Sequence, residues 1–347
     1  MIKLKDFWEK ESKAPLLQRN AGYFSRDSET TEKQLLDAEG WLDLALRPEN
    51  ISNKSFQSSD NIELKSYVQF EIPLNRECEV ILKEQTDDPA INRIFKLDAE
   101  RTFSDDKNRQ KMIQVLSTIY TEIQDYHQGL GFIVAFLMLQ LSPQDTVKLA
   151  LALHRYYLPG YFKTAPFNYV RDAKVFQKLL EEKYPELAAK ISNAACTEAF
   201  CSKWFVGLNV HVLPFPALCK FFELLLIEGN IFLFKFALSI VKNCSQDILE
   251  AKDTSKILAI LRLDNKLYDD KKGKIKQDNS DIKSSEYDGS FFIHLVEDAM
   301  DISVSEDDIE EFRKVVIEEM KIQEEKRKQV EALLDFDNDE IIFSDEE

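Results

Sequence analysis

The sequence predicts an all-α, multi-helix protein, on three observations. Glycine (9) and proline (10) are scarce among 347 residues, too few for a turn-rich sheet architecture. From Lys107 onward, apolar residues recur at spacings of three and four, the period of a helix face. Nowhere do strand and helix patterns alternate in the βαβ rhythm of a parallel sheet. With 44% apolar and 11% aromatic residues the chain is able to bury a core.

Charge divides the chain unevenly. The total is −17, but Asp301 to Glu347 holds 18 acidic and 6 basic residues, which leaves the body close to balance. A general nucleic-acid grip or a polybasic membrane anchor needs clustered positive charge and is excluded as a function class. The five cysteines (Cys78, Cys196, Cys201, Cys219, Cys244) have no metal-site spacing and read as thiols in a reducing compartment. MIKLKDFWEKESK has no apolar stretch of signal-peptide type. Gly129 to Leu141 and Leu224 to Val241 are too short or too charged to span a bilayer. The expectation is a soluble, cytoplasmic protein.

Residues 1–35 form a polar N-terminal arm with isolated aromatics. Leu35 to Leu46 is a short helix candidate, and Pro48 to Asn61 reads as a loop. Tyr67 to Ile72 carries a weak strand alternation, and Cys78 to Lys83 fits helix or strand equally. Met112, Leu116, Ile119, Ile123 and Tyr126 mark one amphipathic stripe. Gly129 to Leu141, apolar on nearly every side, reads as a buried central helix. Ser142-Pro143 starts another, with proline in the first turn. Helices are then expected over Val147 to Tyr157, Asp172 to Lys183, Leu187 to Ile191, Ala195 to Val206, Pro216 to Ile227 and, past the Gly229-Asn230 break, Phe232 to Val241. These belong to one domain, 36–263. A polar linker over 264–290 is expected to be disordered. C-terminal helices follow over 291–334, beginning with Phe291 to Met300; Ser305 and Asp308 resemble a capping box opening the second. Residues 335–347 are expected to form an acidic, disordered tail.

Most catalytic constellations are missing from the sequence. The only Gly-x-Gly, Gly129 to Gly131, lacks the lysine of a phosphate loop. His127, His154, His211 and His294 are isolated from one another, so no metal site is expected. Two segments stand apart. In Phe95 to Phe103, Asp98 and Arg101 are three residues apart, so one helical turn would set carboxylate beside guanidinium. Alone this describes an ordinary surface ion pair worth under about 1 kcal/mol. In Tyr126 to Ile133, Gln128 stands at the mouth of the most apolar helix, where a capping role is the ordinary reading.

Together and in this order, the two segments resemble the TBC domain, the catalytic module of GTPase-activating proteins for Rab-type small GTPases. Asp98 and Arg101 match its IxxDxxR motif, with Phe95 for isoleucine and Thr102-Phe103 continuing it. Tyr126, Gln128 and Gly129 match YxQ, with Leu130 for methionine and Gly131 for asparagine. Downstream, Val170-Arg171-Asp172 with Phe176 and Leu179-Leu180 resembles VDxxxFxxLL, and Pro185-Glu186-Leu187 resembles the PEL turn. Trp204-Phe205 with Val212-Leu213-Pro214 resembles WFxxLFxxVLP. Phe222-Glu223 before Glu228-Gly229 takes the place of the family's Trp-Asp…Glu-Gly, and Trp41 that of its first tryptophan. The stretch between Arg101 and Gln128 is shorter than the family's.

The resemblance implies the family's helical fold and the supply, in trans, of Arg101 and Gln128 as catalytic side chains to a GTP-bound Rab. Asp98, Tyr126 and Gly129 would be supporting residues, Asp98 aiming the guanidinium and Tyr126 holding the loop of Gln128. The chain would need no cofactor of its own, since GTP and magnesium come with the GTPase. Two other readings stay open, a Rab-binding adaptor without useful catalysis and a helical scaffold in membrane trafficking. Recruitment to endomembranes through partners and a protein partner for the acidic tail are further expectations. Periodicity does not bring Arg101 and Gln128 together. A helix from Lys107 to Gln124 would separate them by about 27 Å at roughly 1.5 Å per residue, unless Thr102 to Asp106 folds back along it.

Overall fold

In the computed structural model, residues 40–46, 74, 77–103, 105–213, 215–263 and 290–339 are described. Among them every regular element is a helix. The N-terminal arm, the strand signal at Tyr67 to Ile72, the loop after Pro48, the linker as far as residue 289 and the last eight residues lie outside them. Of the Leu35 to Leu46 candidate, 40–45 are seen as helix (α1). Residues 78–83 are neither helix nor strand; the backbone there is held by side chains, as where Lys83 N–H donates to Thr118 (2.8 Å).

α2 (Pro89–Thr102) is a full helix where the sequence indicated only one turn. Asp88 caps it by accepting from Ala90 and Ile91 N–H, and Pro89 takes the first position. α3 (Asp106–Ile123) begins after a short turn, capped by Asp105. The two pack against each other as a hairpin: Phe95 meets Tyr120 edge-on at 6.0 Å, and Arg109 Nε donates to Phe103 carbonyl at 2.7 Å near the turn. Gln124 ends α3 in the left-handed conformation (φ 55°). Tyr126 therefore lies outside the helix, although its spacing continued the stripe.

α4 (Gln128–Met138) is the buried central helix, with Leu130, Gly131 and Ile133 to Leu137 all inside. Ser142 caps α5 (Pro143–Ala152), which runs on into a π-helical turn over Leu153–Tyr157; the segments beginning at Ser142 and at Val147 are thus one element. α6 (Phe167–Lys183), α7 (Pro185–Ser192) and α8 (Thr197–Phe205) follow. α9 (Phe215–Glu228) and α10 (Ile231–Asn243) are separated at Gly229, whose φ of 83° suits a helix stop. Two short helices that the sequence did not reveal, α11 (Ser245–Glu250) and α12 (Thr254–Leu261), come next.

The C-terminal helices join this core. α13 (Ser290–Asp298) packs on α9 and α10, and α14 (Glu306–Asp339) packs on α6. Leu295, Val296, Ile309 and Val316 belong to the same buried cluster as Trp41, Phe136 and Phe222. Ser305 and Asp308 form the expected reciprocal cap, at 2.8 and 3.1 Å. α14 continues to Asp339, so its last turns run into the stretch expected to be a disordered tail. None of the described helices is long and apolar enough to cross a membrane.

Candidate functional site

The site is assembled by three elements that meet at the α2–α3 hairpin. On α2 the 3.6 period turns Phe95, Asp98, Ala99 and Thr102 inward. Asp98 is 5% exposed while Arg101, one turn on, is 58% exposed. Arg101 Nη2 donates to Asp98 Oδ1, and Nε donates to the Leu97 carbonyl at 3.2 Å. The pair is therefore not the surface ion pair of the ordinary reading. Its acid is buried and its base presented to solvent, which restricts the guanidinium without covering it.

After α3, Gln124 to His127 leads the chain back over the hairpin. Asp125 pins this return by accepting from Thr164 N–H (3.2 Å) and Oγ1 (2.5 Å). Tyr126 packs its ring edge-on to Phe95 at 4.9 Å and donates its hydroxyl to Asp98 Oδ2 at 2.7 Å. Burial, then the neighbouring carboxylate, pushes the Tyr126 phenol well above its ordinary pKa, so it remains a donor. Its hydroxyl thus holds the carboxylate that holds Arg101, a more direct tie than support of the Gln128 loop.

His127 is the N-cap of α4, its Nδ1 accepting from Gly129 N–H at 3.0 Å. Burial lowers its pKa below the ordinary value, which favours the neutral imidazole that the cap requires. Gln128, the first helical residue, is not the cap and is exposed. With its amide oxygen turned to Arg101 it accepts from Nη1 at 3.1 Å and Nη2 at 2.9 Å. Arg101 and Gln128, a whole helix apart in sequence, are side by side. The turn after Thr102 reverses the chain, and the return from the left-handed Gln124 through His127 covers the remaining distance.

Both glycines of the segment answer to close packing. A Cβ at Gly129 would lie 3.0 Å from Val206 Cγ1 and 3.1 Å from His127 Nδ1. One at Gly131 would lie 2.5 Å from the Tyr126 hydroxyl and 3.7 Å from Asp98 Oδ2. Gly131 is a contributor that the sequence reading left out, and its signal was the departure from asparagine at that position. His127 was likewise passed over, although a residue just before a helix is where caps are found.

The core beneath carries the remaining motifs. Trp41 stacks with Phe222 (5.9 Å) and meets Phe136 (6.0 Å), and Trp204 packs edge-on with Phe176 (6.0 Å). Asp172 is fully buried and accepts from Arg171 Nε (2.6 Å), Tyr161 hydroxyl (2.6 Å) and Arg313 Nε and Nη2 (3.0 and 2.6 Å).

A family model of the Rab-GTPase-TBC domain matches residues 57–249, more than half of the chain. Growth hormone-regulated TBC protein 1 of Rattus norvegicus is 29% identical over 173 residues, which cover 46% of this chain and 60% of that protein. A putative GTPase-activating protein of Emericella nidulans, AN11010, is 23% identical over 226 residues, covering 65% of this chain and 19% of that protein. The chain thus spans less than two thirds of either relative. A crystal structure of a Chlamydomonas flagellar RabGAP TBC domain superposes with a TM-score of 0.50 at 15% identity, covering 86% of this chain and 89% of that one, a likeness of fold. The family match and the shared helical fold agree with the order of the motifs along α2 to α10: the chain belongs to the Rab-GTPase-TBC domain family.

Proposed function

We propose that the chain is a GTPase-activating protein for a Rab-type small GTPase, with Arg101 and Gln128 as the side chains it supplies in trans. One observation carries the reading: two exposed polar side chains from separate motifs lie in hydrogen-bond contact, held from beneath by a buried carboxylate. GTP hydrolysis builds negative charge on the bridging and γ-phosphoryl oxygens and needs an oriented water. A guanidinium stays charged and spans two oxygens at once, which lysine does less well. The Gln128 amide, able both to donate and to accept, orients the attacking water. Asp98 restricts the guanidinium before docking, so less freedom is lost on forming the complex. In the free chain Arg101 and Gln128 satisfy each other; docking exchanges those hydrogen bonds for phosphate oxygens and water. GTP and magnesium arrive with the GTPase, and endomembrane recruitment follows from where that GTPase resides.

Phosphate release from a panel of GTP-loaded Rabs tests this. Arg101→Ala is expected to lower stimulated kcat by about 10³ or more, and Gln128→Ala to lower it comparably, with the fold unchanged by circular dichroism. Stimulated hydrolysis that survives both substitutions across the panel would refute the catalytic reading and leave the Rab-binding adaptor.

A further inference from the structure

Large apolar side chains that are exposed among the described residues are mostly solitary. Ile81, the most exposed of them at 81%, and Phe167, Ile227, Leu249 and Met300 each stand alone in sequence, and Val315, Ile322 and Val330 are two turns apart. Ile94 and Leu97 are the exception. They are 40% and 47% exposed and one helical turn apart on α2. With Ala90 and Arg101 they fall at i, i+4, i+7 and i+11, a single stripe opposite the buried Phe95 and Ala99. Leu97 is joined to Arg101 directly, its carbonyl accepting from the guanidinium Nε. The exposed charges of this helix are Arg93, Lys96 and Arg101 against Glu100, a net positive surface on a chain of −17.

Two large aliphatic side chains, each exposed over nearly half of its surface, thus lie beside the solvent-facing Arg101. Paired exposed apolar residues rimmed by charge are the usual mark of an interface. We infer that Ile94 and Leu97 are the apolar anchor of the docking surface for the GTP-bound small GTPase, and that they set which GTPase is accepted. The inference rests on the proposed function, because continuity with Arg101 identifies the occupant. The geometry also states the partner's chemistry: an apolar patch with acidic neighbours, beside the nucleotide, within one α2 length of the γ-phosphate. An aliphatic pair contributes to binding whether or not the transition state has formed. Its loss should therefore appear in KM, while the loss of Arg101 appears in kcat.

The test uses the full chain. Ile94→Ser and Leu97→Ser, made singly and together, are measured for stimulated hydrolysis over the Rab panel and for direct binding to Rabs loaded with a non-hydrolysable GTP analogue. Each single change is expected to raise KM and weaken binding by about tenfold or more, with kcat kept within about twofold. Leu97→Met should stay near wild type. Thermal midpoints equal to wild type exclude misfolding. Unchanged KM and binding in the double variant would overturn the inference even with hydrolysis intact. If no Rab is stimulated, the catalytic reading falls alone, and the binding arm still decides: analogue-loaded Rab held by wild type and lost by Leu97→Ser supports the surface. Equal binding by both, or binding by neither, overturns it.

Discussion

The distance that governs the candidate site is the one that Gly131 leaves open. The Tyr126 hydroxyl reaches Asp98 only because residue 131 has no side chain; a Cβ there would sit 2.5 Å from that oxygen. Gly131→Ala therefore has to displace the phenol, leaving buried Asp98 short of one donor and Arg101 less fixed. We expect about tenfold lower stimulated kcat and a loss of about 1–3 kcal/mol in stability, the cost of an unmade buried hydrogen bond. In a Tyr126→Phe background the clashing oxygen is gone, so adding Gly131→Ala should cost little more. This double-mutant cycle can be read in both thermal midpoint and kcat. Additive losses would show that the two residues act apart. Of these positions, Asp98, Arg101, Tyr126, Gln128 and Gly129 were legible in the sequence as members of two short motifs. Gly131 was legible only as a departure, since a vacancy acquires meaning from the atom that fills it.

Among the elements, α14 takes on a role that its sequence did not announce. It lies outside the 57–249 family match, yet it supplies Arg313 to the fully buried Asp172 of α6. The two adjacent guanidiniums outweigh the burial that opposes ionisation, and hold Asp172 well below the usual carboxylate range. Burial works against the Arg313 charge, but Asp172 more than offsets it and the guanidinium is held above its ordinary value. Removing Arg313 leaves the buried Asp172 carboxylate with Arg171 as its remaining guanidinium and with fewer donors than before. Arg313→Ala should therefore cost about 3 kcal/mol, the low end for breaking a buried pair because Arg171 stays, seen as a lower urea midpoint. The cost should shrink in an Asp172→Asn background, where Arg313 has no carboxylate to neutralise; an undiminished cost would assign the effect to packing. Periodicity found α14 and its Ser305–Asp308 cap. That it closes over α6 could not be read, because an arginine on a charged helix looks the same whether it meets water or a carboxylate.

For the whole molecule, the balance of charge changes meaning once folded. The acidic stretch from Asp301 is not an appendix alone: α14 packs on α6 and is tied to it by Lys178–Glu319 (2.8 Å), while α13, just before this stretch, packs on α10 and is tied to it by Lys242–Asp298 (3.0 Å). Stability should also depend on pH through His154, next to Phe162. Burial first, then Lys163 and Arg155, lowers its pKa to about 4. A histidine depressed below its unfolded value of about 6.5 is neutral in the native state and takes up a proton on unfolding. Its contribution is complete above pH 6.5 and is lost as pH falls towards about 4, about 3 kcal/mol in all. The thermal midpoint should decline over that window, with His127, also depressed by burial, adding in the same direction. A flat profile between pH 6.5 and 4.5 would contradict this. The lowered carboxylates, Asp172 foremost, lose their protection only at lower pH.

The sequence by itself determined the helical class, most helix positions from Asp106 to Asn243, the buried nature of α4 and the two motifs with their order. These are local properties, carried by periodicity, capping residues and residue type within a turn or two. The α2 helix escaped because its inward face alternates Phe95 and Ala99 with the polar Asp98 and Thr102, which breaks the apolar period, and α11 and α12 because they are too short to show one. Only the tertiary structure decided that Arg101 and Gln128 meet, that Tyr126 bonds Asp98, that Gly131 makes room for it and that Arg313 reaches Asp172. Each of these depends on the chain reversing after Thr102, turning at Gln124 or closing across the linker. Such reversals are settled by which faces bury against which, an energy shared over the whole core rather than written in any one segment.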